Sequence, residues 1–277
     1  MAVKSLAVKY RPKTFDDVSE QKAIKIILTQ QLEANETKNA YLFCGGAGTG
    51  KTTCARIFAQ EINKHMGNPI EMDAASNNSV EDVREIIQQA KTKSLDSEYK
   101  VFIIDECHAI TTQGWQAYLK GLEETPPYTI YIFCTTEPNK IPATIQNRMQ
   151  RFNVAKINSQ EVYNRLTFVC QQEGFVNYTD TCDLISKICQ GCMRDAIMKL
   201  DQCADLSTDL TLDIVKPVLG VLSYEAMFNL TWALQDKDEA RVLGVINTLY
   251  NNGKELKNFI EVYLEFVLDL VKFNFIR

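Results

Sequence analysis

Residues 45–52 read Gly-Gly-Ala-Gly-Thr-Gly-Lys-Thr, and Asp105-Glu106 closes an apolar run that starts at Val101. The first stretch has the residue types of a phosphate cradle. Its glycines let successive backbone N–H groups turn inward around phosphate oxygens, at the start of a helix whose dipole favours anions. The candidate contacts are Gly46, Ala47, Gly48, Thr49, Gly50, Lys51, Thr52 and Thr53. Lys51 would reach the β- and γ-phosphates, and the Thr52 hydroxyl would hold Mg²⁺. The two carboxylates supply the rest of a triphosphate-hydrolysing centre. Asp105 would organise the Mg²⁺, and Glu106 would be the general base that polarises the attacking water. Either piece alone has a bland reading, a structural glycine turn or a surface acidic pair after a strand. Together they indicate binding and hydrolysis of a nucleoside triphosphate.

The flanking elements fit that chemistry. Tyr41-Leu-Phe-Cys44 is a short apolar strand before the loop, and Cys54-Ala-Arg-Ile-Phe-Ala59 continues as a helix after it. Val101 to Ile104 shows no polar alternation, which suits a strand covered on both faces. It delivers Asp105 and Glu106 at its C-terminal end, where ligands of open α/β sheets sit. Ile70-Glu-Met-Asp73, Ile130-Tyr-Ile-Phe-Cys134 and Arg151-Phe-Asn-Val154 are the remaining strands. Between them, apolar residues at 24, 27, 28 and 32, and at 80, 83, 86, 87 and 90, keep helical spacing. Another helix runs from about Trp115 to Glu124 and ends at Pro126-Pro127. Strands alternating with helices give an α/β fold with a mainly parallel sheet. After residue 157 the pattern is helical throughout, with breaks at Gly174, Gly191, Gly220 and Asn252-Gly253. The expected domains are 1–157 for the sheet, 158–220 for a helical lid and 221–277 for a further helical segment.

A net charge of −5 argues against a broadly basic, nucleic-acid-coating surface but leaves room for a local one. The nine cysteines are an odd number and lie mostly in apolar elements, and Met1-Ala-Val-Lys opens no signal peptide. They read as reduced, buried small hydrophobes of a cytoplasmic protein. Cys189-Gln-Gly-Cys192 is a lone C-x-x-C with no second pair at ligand spacing. Tyr263 to Ile276 is the most apolar stretch, but Glu265, Asp269 and Lys272 interrupt it. It reads as a helix facing a partner helix, not a membrane span.

With these motifs in hand, the chain resembles the AAA+ clamp-loader ATPases, most of all the gamma/tau family of bacterial DNA polymerase III subunits. Lys9-Tyr-Arg-Pro-Lys-Thr-Phe15 looks like that family's N-terminal arm. Asp73-Ala-Ala-Ser-Asn-Asn78, Leu122-Glu-Glu124 with Pro126-Pro127, and Thr135-Thr-Glu-Pro-Asn-Lys-Ile-Pro142 look family-like too. The resemblance implies an AAA+ P-loop ATPase domain, a helical lid and a short helical collar, using ATP and Mg²⁺. It implies adenine contacts from Ala7, Tyr10, Arg11, Pro12 and Val18, and Thr136 as the sensor-1 residue. Arg148, in Asn147-Arg-Met149, stands where the family has the arginine finger that serves a neighbouring subunit's ATP. Its flanks differ from the family's, and Arg151 is a nearby alternative. Arg194, in Gly191-Cys-Met-Arg-Asp-Ala196, matches the lid's sensor-2 arginine, with Met193 beside it. The family's cysteine-bearing zinc insertion is replaced by Gln60 to Pro69, which holds no cysteine, so no zinc is expected. Few residues follow Gly220 beside the family's larger collar, so a collar that is either naturally short or truncated is expected.

The implied function is a motor subunit that opens a sliding clamp and loads it on primer–template DNA. Its implied partners are other clamp-loader subunits, the clamp, the DNA and the replicative DNA polymerase. Asn77, Asn78, Ser79, Thr111 and Thr112 are candidate DNA-phosphate contacts at helix N-termini, or plain helix caps. Two other readings stand beside this one. A non-catalytic stator subunit is opposed by the intact Lys51, Thr52, Asp105, Glu106 and Arg194. A recombination-associated ATPase or helicase is recommended by Asp105-Glu-Cys-His108, a D-E-x-H box, but opposed by the arm and by the lack of a second motor domain. His108 itself reads as a packing or hydrogen-bonding residue.

Overall fold

The apolar runs at 41–44, 101–104 and 130–134 form the centre of a five-stranded sheet in the computed structural model, which describes residues 5–219, 224–251 and 256–275. The chain divides into two compact units, Met1–Thr211 and Leu212–Arg277.

In the first unit a short helix α1 (Leu6–Lys9) and α2 (Lys22–Ala34) precede β1 (Ala40–Cys44) and α3 (Lys51–Ile62). Then come β2 (Ile70–Asp73), α4 (Val80–Ala90), β3 (Lys100–Asp105), α5 (Thr112–Glu123) and β4 (Thr129–Thr135). A short α6 (Ala143–Gln146) leads to β5 (Gln150–Asn153). The sheet order is β2-β3-β4-β1-β5 and every pairing is parallel. Every residue of β1 and β4 is buried. Side chains alternate across a strand, so one apolar run feeds two cores. Tyr41, Phe43, Ile103 and Ile132 pack with Ile24 and Leu28 of α2 and Ile57 and Phe58 of α3. Leu42, Phe102, Ile104 and Phe133 pack on the other face with Val83 and Ile86 of α4 and Trp115 and Tyr118 of α5. Helices α4 and α5 approach closely at Gly121, where a Cβ would lie 3.0 Å from Ile87.

The same unit continues with α7 (Ser159–Glu173), α8 (Thr179–Ile188) and α9 (Met193–Ala204). Asn158 caps α7 by accepting from the Glu161 N–H at 2.8 Å, and Gly174 ends it at φ +72°. Leu166, Val169 and Cys170 meet this bundle's interior with Cys182, Ile185, Leu200 and Cys203, all fully buried. All nine cysteines are free thiols, and Cys170 and Cys182 touch at 3.6 Å between sulfurs. Burial holds the Cys134 thiol well above its ordinary range and pushes Cys54 up to about 11, so these thiols stay protonated and behave as small apolar side chains.

The second unit holds α10 (Leu212–Leu219), α11 (Tyr224–Gln235), α12 (Glu239–Asn251) and α13 (Leu256–Phe275). Met227, Leu230, Leu249 and Phe259 form its small core. Ile260, Leu264, Leu268 and Val271 lie exposed along one side of α13, as the apolar tail of the sequence led us to expect. The breaks read at Gly220 and at Asn252-Gly253 fall outside the described residues. Among the described residues no helix is long and apolar enough to cross a membrane.

Candidate nucleotide site

The loop between β1 and α3 begins with the Gly45 N–H donating to the Thr135 carbonyl at 3.2 Å, which ties it to β4. Gly48 and Gly50 take φ of +64° and +101°, a region that β-carbons disfavour. Space enforces Gly48 as well as torsion does: a Cβ there would lie 2.1 Å from Cys192 Sγ. Lys51 is the first residue of α3 and is 5% exposed. Its Nζ donates back across the loop to the Gly46 carbonyl at 2.8 Å, and Thr49 Oγ1 donates to the same oxygen at 2.9 Å. The amine is thus held at the mouth of a turn whose N–H groups open the helix, an arrangement built for an anion.

Thr52 Oγ1 donates to Asp105 Oδ2 at 2.8 Å, bringing a hydroxyl and a carboxylate together. Hard oxygen donors of this kind suit Mg²⁺ beside a phosphate chain, so the residues present fit the Mg·ATP that the motif implies. The other Asp105 oxygen accepts from the Glu106 N–H at 3.0 Å. Glu106 then turns left-handed, at φ 46° and ψ 41°, which lifts its side chain off the strand end. Non-glycine residues in this region cost energy and cluster at functional sites. Thr136, the first residue after β4, donates its hydroxyl to Glu106 Oε2 at 3.2 Å. The residues expected as metal ligands, base and sensor are therefore neighbours at the C-terminal ends of β1, β3 and β4.

The helical part contributes from above the loop. Arg194 stands in the first turn of α9, with its Cβ 3.4 Å from where a Gly48 Cβ would be. Burial, then the charges of Arg56 and Arg194, hold the Arg11 guanidinium below its usual range, so three cationic side chains share this region. Arg56, one turn beyond Thr52, forms a bidentate pair with Glu71 at 2.7 and 2.6 Å. That pair went unread in the sequence because nothing local links a helix residue to an edge strand.

The arm is tied to α7. Lys9 Nζ lies 2.6 Å from Glu173 Oε1, and the Tyr10 hydroxyl donates to the same oxygen. Arg165 donates to the Tyr10 carbonyl at 2.8 Å, and the Tyr10 ring meets Phe168 edge-on. The hydrogen bonds from Lys9 and Tyr10 hold the Glu173 carboxyl below its usual range. Tyr10 thus spends its hydroxyl and ring on α7, while Val18 is buried against the sheet's core. Ala7 and Pro12 are half-buried.

Arg148 lies elsewhere. Tyr41 pairs with Gln150, so the segment entering β5 sits beside the start of β1, opposite the end that carries Lys51. Its guanidinium donates to Glu123 Oε1 and to the Thr144 carbonyl, each at 2.6 Å. Arg151 bonds Asn153 and Gln146 instead. Asn77, Asn78, Ser79, Thr111 and Thr112 form one patch, joined where the Thr111 N–H donates to the Asn78 carbonyl at 3.3 Å. Two of its hydroxyls are occupied as caps. Ser79 and Asp82 make a reciprocal capping box on α4, and Thr111 accepts from the Gly114 N–H at 3.1 Å to open α5. Asn77 donates to the Asp73 carbonyl.

This sheet order and loop define the AAA+ P-loop fold. The fold is similar to the Holliday junction branch migration motor RuvB of Thermotoga maritima, with a TM-score of 0.64 over 94% of this chain and 91% of that one at 20% identity. A K64R mutant of the same protein gives 0.66 over 95% and 91%, also at 20% identity. A family model described as DNA polymerase III, delta subunit, matches residues 70–158. DNA polymerase III subunit tau of Bacillus subtilis is 34% identical over 99% of this chain and 53% of its own length. The gamma/tau subunit of Mycoplasma genitalium is 32% identical over 95% and 48%. Over almost its whole length the chain is thus similar to gamma/tau subunits of DNA polymerase III. It spans about half the length of the curated relatives it matches.

Proposed function

We propose that this chain is an ATP-hydrolysing motor subunit of a sliding-clamp loader, acting on primer–template DNA together with other loader subunits, the clamp and the replicative polymerase. The observation that carries the reading is the convergence of Lys51, the Thr52–Asp105 pair, the Glu106–Thr136 pair and Arg194 on one loop, in a chain akin to gamma/tau subunits.

In this reading Mg²⁺, when bound, neutralises charge on the phosphates, and Thr52 and Asp105 hold it. Lys51 and the loop N–H groups bind the phosphate chain. Glu106 takes the proton of the attacking water from a position set by the left-handed turn. Thr136 senses the terminal phosphate, and Arg194 carries the nucleotide's charge into the helical lid. Arg11, Val18 and their arm neighbours frame the base. Arg148 serves the ATP of an adjacent subunit. The Asn78–Thr111 patch offers helix N-termini to DNA phosphates.

Lys51→Ala is expected to lower ATP turnover by about 10²–10³-fold, the size of losing one preorganised cationic contact to the reacting group. Phosphate release and binding of a fluorescent ATP analogue check it. Unchanged turnover would mean that hydrolysis happens away from this loop.

A further inference from the structure

Beside the carboxylate pair lies a histidine that the scheme above leaves without a task. We propose that His108 is a positioning residue for Glu106, pinning one carboxylate oxygen while Glu137 holds the far side of its ring. The inference rests on Glu106 being the general base. His108 Nδ1 is 3.3 Å from Glu106 Oε2, and Nε2 is 3.4 Å from Glu137 Oε1. The ring is fixed in place. It belongs to a 3₁₀ turn (Cys107–Ala109) whose Cys107 is fully buried, and the Ala109 N–H donates to the Glu106 carbonyl at 2.9 Å. The imidazole is 18% exposed, whereas the Glu106 side chain is 39% exposed. Glu137 is anchored in turn: its N–H donates to Thr135 Oγ1 at 3.0 Å, and Lys140 pairs with its carboxylate at 2.9 Å.

The chemistry of the donors explains why a second group is needed. An ionised carboxylate only accepts, so Nδ1 can hold Glu106 only with its own hydrogen, the one in reach of Thr135 Oγ1 as well. Glu106 Oε2 also accepts from the Thr136 hydroxyl, which has a single hydrogen to give. If Thr136 turns that hydrogen to the terminal phosphate or the attacking water, as a sensor must, its bond to Glu106 is lost. His108 Nδ1, 3.3 Å away, is then the group able to turn its hydrogen to Oε2, leaving Oε1 for the water's proton. Thr135 Oγ1, 3.2 Å from Nδ1, can share the same ring hydrogen and keeps the imidazole aligned with the strand end.

The test uses the full chain. His108→Ala should lower kcat by about 10–10²-fold with the KM for ATP unchanged, the cost of a misplaced reacting group. His108→Asn carries an amide nitrogen near the place of Nδ1 and should recover most of the loss. His108→Gln extends its amide toward Glu137 and should not. Glu106→Gln runs alongside: if it keeps wild-type turnover, the base assignment itself fails, whatever His108 does. If it stops turnover while His108→Ala keeps its kcat, or if Asn rescues no better than Gln, the positioning role is overturned. Ring ¹⁵N spectra add a readout independent of turnover, because the chain has two histidines and His65→Gln assigns them. The His108 Nδ1 resonance should move on Glu106→Ala, and an unmoved signal overturns the proposal.

Discussion

Arg148→Ala is expected to cut ATP turnover of the assembled oligomer by about 10³–10⁵-fold, the range for removing an arginine that stabilises a transferring phosphoryl group in trans. Nucleotide binding by the isolated chain should be untouched. The reason is topological. Arg148 precedes β5 at the end of the sheet opposite Lys51, and within its own chain it bonds Glu123 and Thr144. A guanidinium so placed, with its side chain 38% exposed, lies away from its own chain's loop, so in the proposed reading the ATP it serves belongs to another molecule. Mixing supplies the check. Arg148→Ala and Lys51→Ala chains, each inactive alone, should recover part of the turnover together, because some interfaces then pair an intact loop with an intact arginine. Loss of activity by an isolated Arg148→Ala monomer would refute the trans assignment.

Glu106→Gln should produce the complementary defect: ATP bound with near-normal affinity and turned over about 10²–10⁴-fold more slowly, the contribution of a placed general base. Glutamine keeps the length of the side chain, and its carbonyl can still accept from Thr136 and His108, so the geometry survives while the proton acceptor is gone. Nucleotide retention after rapid dilution, beside single-turnover hydrolysis, separates this outcome from the binding defect expected of Lys51→Ala. A variant that failed to retain ATP would show that Glu106 shapes the pocket instead of acting on water.

Much of this was legible in the residues. Uninterrupted apolar runs at 101–104 and 130–134 announced strands covered on both faces, and each indeed feeds two cores. The glycine loop and Asp105-Glu106 located the centre because a motif compresses geometry into adjacent positions. What depended on register did not show. Glu137 meets His108 from 29 positions away because the parallel pairing of β3 and β4 brings their ends level. Arg56 meets Glu71 from a helix to an edge strand. The arm's short α1 spans too few residues for any periodicity, and its links to Glu173 and Asp201 are tertiary. Ser79 and Thr111 were read as either phosphate contacts or caps. Both cap their helices, which leaves Asn78, Thr112 and the first-turn N–H groups of α4 and α5 for the phosphate reading.

The clamp-loader reading also bears on the second unit. The exposed Ile260, Leu264, Leu268 and Val271 of α13 are an apolar side that a ring of subunits would cover.

The most direct test of the central claim is steady-state ATP hydrolysis by the purified chain, alone and with primer–template DNA, a sliding clamp, or both. The account predicts strong stimulation when DNA and clamp are present together, exceeding either alone. Turnover that responds to DNA but is indifferent to any clamp would contradict it and point to a DNA-dependent motor of another kind.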